Sequence, residues 1–296
     1  MTKRTRLLVS ICIAGAGLSA QRAAGQEPTG RSEGPRVLLR FAADSSVVGA
    51  FRFTGQATSQ LVFDIPRDDP RNELLASVTA PRTTTRDIAG TVVSTPAETD
   101  AERRYVIYWL GYRLSEGEEE RSLTSAQWDS IFQVAGRRAV LRFTARGQPL
   151  GVDVASDAVR PVAQSLADVL AGLALTLPAD SVGIGGRWSD QLAVPVDAPD
   201  GSHKVVTMSV TYRLAELSGE PGGLRARIEF DGAPVSVTDG SGEVDGKYFG
   251  ESIFSLGRGR YEQVMAIANL EVAWKDTGGL PPARTVVEWR GQLISR

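Results

Sequence analysis

The chain has 296 residues, of which 42% are hydrophobic, and its 33 basic and 35 acidic residues give a net charge of −2 at neutral pH. Because a surface that binds nucleic acid needs an excess of basic residues, this balance argues against nucleic acid as a partner. The chain has one cysteine, Cys12, and one histidine, His203. One cysteine excludes an intrachain disulfide. With a single cysteine and a single histidine, a thiol-dependent active site, a Ser-His-Asp triad or a zinc site has few residues to use.

The first 25 residues have the three parts of a secretory signal peptide. Basic residues at 3–6 precede an uncharged apolar stretch at 7–20, and small residues follow at 23–25. We therefore predict a signal peptide at 1–25, cleaved before Gln26, and export of the mature chain to the periplasm or the extracellular space.

Removal of this leader changes the charge and the chemistry of the chain. The leader carries four basic residues, no acidic residue and Cys12, so the mature chain would have 29 basic and 35 acidic residues, a net charge of −6 and no thiol. The apolar stretch is shorter than the ~20 residues that cross a bilayer, and no later stretch is longer, so we predict no transmembrane span in the mature chain. Two alternatives stay open: a retained signal-anchor, and lipid attachment at Cys12, although Ile11 is bulkier than the residue a lipobox places there.

The remaining sequence has the pattern of a mainly-β domain. Residues 26–35 are polar and rich in glycine and proline, which is typical of a flexible tether. Beyond them, apolar and polar residues alternate in short rows, as in antiparallel strands with one dry face. We predict a single mainly-β (α+β) domain at 36–296, a large curved antiparallel sheet or open half-barrel with one or two helices packed on its concave face; a lobe boundary near residue 178 is the alternative. The alternating rows lie at 37–41, 61–65, 141–143, 206–214, 224–230, 261–274 and 287–293.

Two rows depart from simple alternation. Residues 104–114 are apolar or aromatic on both faces, which predicts either a central strand covered on both sides or a strand with one face lining a ligand cavity. In the row at 261–274, the pattern places Met265 and Ile267 on the same face as Leu270, because the alternation changes phase near Asn269.

Two segments have helical periodicity. At 124–135 a capping box precedes apolar residues on one face, and Gly136 follows at the position typical of a helix C-terminus. At 156–174 apolar residues form a stripe, and Asp157 lies in the first turn, where the helix dipole favours negative charge. The polar faces are poor in basic residues, so we predict that both helices pack on the sheet rather than on a membrane surface.

Five segments contain residue types that carry chemistry in other proteins. His203 lies in a stretch typical of a hairpin turn, with no second histidine or cysteine to build a metal or triad site. The glycines at 183–186 lack the strand-then-helix setting of a phosphate loop, and 250–254 lacks the closing glycine of a nucleophile elbow. The acidic residues at 239–246 depart from the EF-hand order, which favours a turn over a calcium site, and the run at 115–120 is typical of a solvated loop. We predict no catalytic residue, no metal and no cofactor.

The segment at 177–188 begins with Leu-Pro, continues with Val-Gly and ends on Trp. It resembles an "LP…VG…W" segment of a family of uncharacterised exported bacterial proteins, in which it follows a helix and precedes long antiparallel strands. Residues 141–150 are similar to the strand–turn–strand that precedes the helix in that family, so the resemblance covers 138–196. It implies an architecture similar to the periplasmic lipoprotein-carrier fold, a curved sheet with helices over an apolar concave face, and it assigns no catalytic residue.

These observations favour a protein of the cell envelope that binds an apolar or amphipathic ligand, such as a lipid, without catalysing a reaction. The two-faced strand and the second helix offer more apolar side chains than one strand needs, so they can enclose a ligand; packing of the same residues as a dry core is the alternative. A structural or protein-interaction module, using strand edges or the acidic run, and a hydrolase that works through carboxylates also stay open. The candidate cavity residues are Tyr105, Ile107, Trp109, Leu166, Leu170 and Leu173.

Overall fold

The computed structural model describes residues 34–42, 48–66, 68–95, 102–116, 119–122, 138–154, 173, 176–219, 223–275, 277 and 279–296. The described residues form twelve strands, one α-helix and one 3₁₀ turn at Thr238–Gly240. The helix is α1 (Arg71–Thr79), and the strands are β1 (Val48–Phe63), β2 (Arg82–Thr95), β3 (Glu102–Glu116), β4 (Glu119–Ser122), β5 (Arg138–Thr144), β6 (Pro149–Val154), β7 (Arg187–Asp197), β8 (His203–Ser218), β9 (Arg225–Val237), β10 (Gly242–Ser255), β11 (Arg260–Trp274) and β12 (Ala283–Ser295).

All twelve strands belong to one antiparallel sheet. The order across it is β6-β5-β3-β2-β1-β12-β11-β10-β9-β8-β7, and β4 pairs with β3 beside this path. The last strand therefore lies in the middle, where it pairs with the first from Phe51 opposite Ser295 to Phe63 opposite Ala283. The mainly-β prediction and the large antiparallel sheet are confirmed, and the sheet is not closed, since β6 and β7 are its two ends. The helices predicted at 124–135 and 156–174 lie outside the described residues, apart from Leu173.

The half of the sheet from β12 to β7 is strongly curved. Thr285 on β12 donates a hydrogen bond through its Oγ1 to the backbone oxygen of Asp197 on β7, at 3.0 Å, although four strands lie between them in the sheet order. Trp274 Nε1 donates to the same Thr285 hydroxyl at 2.9 Å. The right-handed twist of successive strands accumulates into such a curl, and its concave side encloses the main core.

Aromatic side chains fill the interior of this curved half. Trp188 on β7 stacks on Tyr212 of β8 with ring centroids 5.6 Å apart, and Phe230 of β9 stacks on Tyr248 of β10 at 5.2 Å. Tyr212 and Phe230 are neighbours at 6.1 Å, so the four rings form one ladder across four strands. Such cross-strand aromatic pairs stabilise a sheet beyond their burial alone. The alternation predicted at 206–214 is confirmed, since its five apolar residues are all buried.

An extended segment at 36–42, which we call the end strap, crosses one end of the sheet. Val37 exchanges two 2.9 Å backbone hydrogen bonds with Val182, and the Ala42 amide donates to Gly259, at the turn between β10 and β11, also at 2.9 Å. Between them Leu39 is completely buried, whereas its neighbour Leu38 is 57% exposed. The alternation predicted at 37–41 therefore does separate inward from outward side chains. The segment is not a strand, however, because it forms a single β-bridge, between Val37 and Val182.

The end strap is bonded to the segment at 177–188. The Arg40 guanidinium donates to the backbone oxygen of Pro178 at 2.6 Å. The glycines that follow form a tight turn, in which the Gly186 amide donates to Gly183 at 2.9 Å and Gly185 has a φ of 82°, a value that L side chains rarely adopt. This turn leads into β7 and not into a helix, so the glycines are structural here.

The sequence patterns did not predict α1. Its apolar residues make no helical stripe, and Leu74 is 78% exposed. The signal lies at its start, where the Asp69 carboxylate accepts hydrogen bonds from both the backbone and the side chain of Arg71, and Pro70 precedes the first turn. An Asp-Pro pair is typical of a helix N-terminus, because the carboxylate caps an amide and proline has no amide to cap.

The face assigned to Met265 and Ile267 was wrong. Val264 and Ala266 are buried, while Met265 lies on the outer face and is 37% exposed. The reason is a register shift after Tyr261, where β11 has one residue more than β10 opposite it. Such a bulge reverses which residues point inward, so the phase changes before position 264 rather than near Asn269.

The run at 115–120 also differs from the predicted loop. Ser115 and Glu116 end β3, Glu119 and Glu120 begin β4, and the register pairs Glu116 with Glu119. Glu116, Glu119 and Glu120 therefore belong to two paired strand ends.

Candidate functional site

The concave face of strands β1, β2, β3 and β5 holds the strand positions predicted to contact a ligand. Directly paired residues of an antiparallel sheet share a face, and the partners of these positions include Leu141, Val92 and Gly90, while Tyr105 also pairs with Ser94. Of these, Leu141 is 1% exposed. The side chains of the three β3 positions lie outside the described part of the chain, so their contact with a ligand stays a prediction. The register pairs Tyr105 with Leu141, Ile107 with Val92 and Trp109 with Gly90.

Leu173 lies over the centre of the same sheet. It is 1% exposed, and its Cδ2 is 3.3 Å from the point where a Cβ on Gly291 of β12 would sit. Three strand spacings, about 14 Å, separate β12 from β3. Leu173 therefore does not lie beside the three β3 positions but across β1 and β2 from them. Leu166 and Leu170 fall outside the described residues.

The residues of β1 and β2 that lie between Leu173 and the three β3 positions include large apolar side chains. Phe53 of β1 and Ile88 of β2 are paired and completely buried, and Phe51 is 8% exposed. The Phe53 ring packs against Gly55, where a Cβ would fall 2.4 Å from a ring atom. These side chains are hydrocarbon, while the buried Arg260 guanidinium lies beside them over Gly49.

A polar cleft of about 590 Å³ lies on the outer face of β7–β10. Its charges are largely compensated, since Glu229 accepts hydrogen bonds from both Arg213 and Arg227. The Arg213 and Arg227 guanidinium groups hold the pKa of the Glu229 carboxyl below its ordinary value. The cleft was missed because its charged residues read as the solvated face of alternating strands. Its lining residues are Arg187, Thr211, Arg213, Glu229, Phe230, Asp231, Phe249, Gly250 and Glu251.

The other segments with chemical potential are part of strands and turns. His203 opens β8 after a turn closed by the Ala198 amide donating to Ser202, and its side chain is outside the described part. Asp239 pairs with Lys204 at 3.1 Å, and Asp245 bonds the next amide of its own strand. Within the described ranges, no group of three metal-ligating side chains comes together.

The carboxyl groups with a shifted pKa are shifted downward. Arg71 lowers the pKa of Asp69 to about 2 by donating hydrogen bonds to its carboxylate from the guanidinium group and from the backbone amide. Contacts with Ser202 lower the pKa of Asp200, as the arginines do for Glu229. A general acid needs the opposite shift, so these three groups are poorly suited to that role.

Three phenols of the interior show the reverse effect. Burial raises the pKa of Tyr212, Tyr248 and Tyr261 above the usual value of 10.0, because a phenolate would lose its hydration there. They remain neutral at physiological pH. They act as core aromatics.

No described helix is long and apolar enough to cross a membrane. No protein-family model matches the chain, and no curated protein matches it either. Among solved structures, the chain is similar to DynF from the dynemicin biosynthesis pathway of Micromonospora chersina, with 9% identity over 94% of this chain and 92% of that one, and a TM-score of 0.21. A likeness at that TM-score carries no argument about fold or function.

Proposed function

We propose that this chain is an exported, non-enzymatic binding protein of the cell envelope that holds an apolar or amphipathic ligand against the concave face of β1, β2, β3 and β5. The observation that carries the proposal is the cluster of apolar side chains formed by Phe51, Phe53 and Ile88 on this face of a sheet whose edges are not joined. A ligand in this place would be bound by hydrophobic burial, about 25 cal/mol for each Å² of apolar surface removed from water.

The other half of the sheet supports this choice of place. Its interior is occupied by the ladder from Trp188 to Tyr248, so a ligand there would have to displace packed rings. Protein interiors packed in this way resist insertion, since overpacking costs about 1 to 3 kcal/mol or more. The interior of β7–β10 is therefore filled by packed rings, and this supports placing the ligand on the N-terminal strands.

The proposal is tested by titrating the purified protein with a fluorescent fatty acid. Val92 of β2 packs against the core on the concave face, opposite Ile107, so Val92→Asp adds a charge where the ligand would lie. We expect the dissociation constant of the fatty acid to rise at least about tenfold, because a charged carboxylate replaces apolar surface that the ligand would contact. Val235→Asp is the matched control, because Val235 is 59% exposed on β9.

Circular dichroism verifies that both variants keep the β-sheet, and Val92→Thr, which conserves the shape, serves if the aspartate variant does not fold. Unchanged binding in the folded Val92 variants, or no binding by the wild-type protein, would contradict the proposal.

Export is tested separately by the intact mass of protein recovered from the envelope fraction. A mature chain that begins at Gln26 has lost Cys12 and cannot react with thiol reagents. A chain that still begins at Met1 in that fraction would contradict cleavage.

A further inference from the structure

A buried cation lies beside the apolar cluster of the concave face. The Arg260 side chain starts from β11 and is 9% exposed, and a Cβ on Gly49 of β1 would sit 2.8 Å from Cζ, the central carbon of its guanidinium. Two strand spacings, about 10 Å, separate β11 from β1, so the arginine side chain bridges the width of β12. The absence of a side chain at Gly49 leaves the space that the guanidinium occupies.

The guanidinium is on the same face of the sheet as the apolar cluster. Gly49 lies two residues before Phe51 on β1, and alternate residues of a strand point to the same face. Phe51 and Phe53 are buried on the concave face, and β1 pairs with β2 without a register shift over 48–59. Phe51 is the next inward residue along β1, about 7 Å from Gly49.

Apolar side chains adjoin the arginine. Val92 of β2 pairs directly with Gly49 and packs against the core. Tyr261 follows the arginine in the chain and packs edge-on against Phe254, with ring centroids 5.1 Å apart. Next to hydrocarbon, a charge-assisted hydrogen bond is stronger than it is in water.

The guanidinium can bind an anion in addition to its contacts within the protein. Arg260 has interactions with its own chain. A guanidinium has five N–H donors in a planar fork, of which a carboxylate or phosphate group uses two. Arginine also stays charged at physiological pH, so the concave face keeps a cation next to hydrocarbon. A molecule with an anionic head group and an apolar chain matches both features.

We propose that the ligand of the concave face is an anionic amphiphile whose carboxylate or phosphate head group binds the Arg260 guanidinium. Its apolar chain extends along β1, away from Gly49 and over the apolar cluster. This inference rests on the proposed function and makes it more specific, since it names the charge of the ligand and the end of the site that holds the head group. The planar fork of arginine fits such a group in a bidentate way and does not fit an alcohol or an ammonium group.

Calorimetric titration of the mature protein with three amphiphiles of the same chain length tests the inference. Dodecanoate and dodecyl phosphate are anionic at about pH 8, whereas dodecanol is neutral. We expect the wild-type protein to bind at least one of the anions about tenfold or more tightly than the alcohol, and the anion that binds better identifies the head group. Arg260→Met removes the charge, so all three amphiphiles are expected to bind this variant with similar affinity.

Arg52→Met is the matched control, since Arg52 is an exposed arginine on the outer face of β1 whose partner is Asp87. It changes the net charge by the same amount and should leave the preference for anions unchanged. Circular dichroism verifies the fold of each variant. Arg260→Gln, which also lacks the charge, serves if the methionine variant does not fold.

Three results would overturn the inference. If the wild-type protein binds the alcohol as tightly as both anions, the head group is not bound by a cation, although the apolar site of the proposed function stands. A preference for anions that persists in a folded Arg260 variant, or that is lost equally in Arg52→Met, would show that Arg260 is not the anion site. A protein that binds none of the three amphiphiles contradicts the proposed function itself, and the inference with it.

Discussion

Shortening Leu39 should destabilise the protein through the end strap. Leu39 is completely buried within a segment that joins the 177–188 region to the turn between β10 and β11. Leu39→Ala removes three carbons from a packed site and leaves a cavity, which costs about 2 to 5 kcal/mol in cores. With about 3 kcal/mol lost, the melting temperature of a domain of this size should fall by about 6 to 12 °C.

Leu38 supplies the control for this experiment. It is the same residue type one position earlier and is 57% exposed, so Leu38→Ala should change the free energy of unfolding by no more than about 0.5 kcal/mol. Denaturant unfolding followed by circular dichroism measures both variants under identical conditions. Equal stability of the two variants would refute the packing of the strap on the sheet.

Further predictions concern the core and one turn. Phe230→Ala removes the third ring of the aromatic ladder and should cost about 3 to 5 kcal/mol in a denaturant melt. Because burial raises the pKa of three tyrosines, stability should hold up to the unfolded pKa of about 10 and fall at higher pH, with their phenolate absorbance appearing only on unfolding. Gly246→Ala should lower the melting temperature, because its φ is 140° and a Cβ would lie 2.1 Å from the Asn269 oxygen. Phenolate absorbance from the folded state, or unchanged melts for either variant, would contradict these predictions.

The sheet was predictable where one face is plainly apolar. The row at 206–214 alternates without interruption, and β8 buries each of its apolar members. On β11 the same reasoning failed, because one extra residue after Tyr261 reverses the faces and the inward positions are the small Ala266 and Ala268. Hydrophobicity alone ranks Met265 above these alanines, although the alanines are the ones that fit the close-packed interior.

The short elements needed local chemistry rather than periodicity. α1 has an Asp-Pro start but no apolar stripe, and the acidic run pairs Glu116 with Glu119 although its composition is typical of a loop. In the acidic run, backbone pairing with the neighbouring strand outweighs the intrinsic preference of the side chains.

The candidate site was predictable in part. Apolar residues on both faces of 104–114 correctly indicated an inner strand, since β3 lies between β2 and β5. The position of Leu173 across two strands from β3 depends on how the chain crosses the sheet, which no local pattern encodes. The outward position of Met265 and Ile267 was hidden by the register shift after Tyr261, because the sequence pattern counts both with the inward residues.

The central claim is that the concave face of β1, β2, β3 and β5 holds an apolar ligand. Native mass spectrometry of the protein purified from an envelope fraction, without added lipid, tests it most directly. We predict an additional mass that corresponds to an apolar or amphipathic molecule, that is lost on gentle activation, and that is reduced in Val92→Asp but retained in Val235→Asp. A wild-type spectrum that shows the mass of the mature chain alone would contradict the claim.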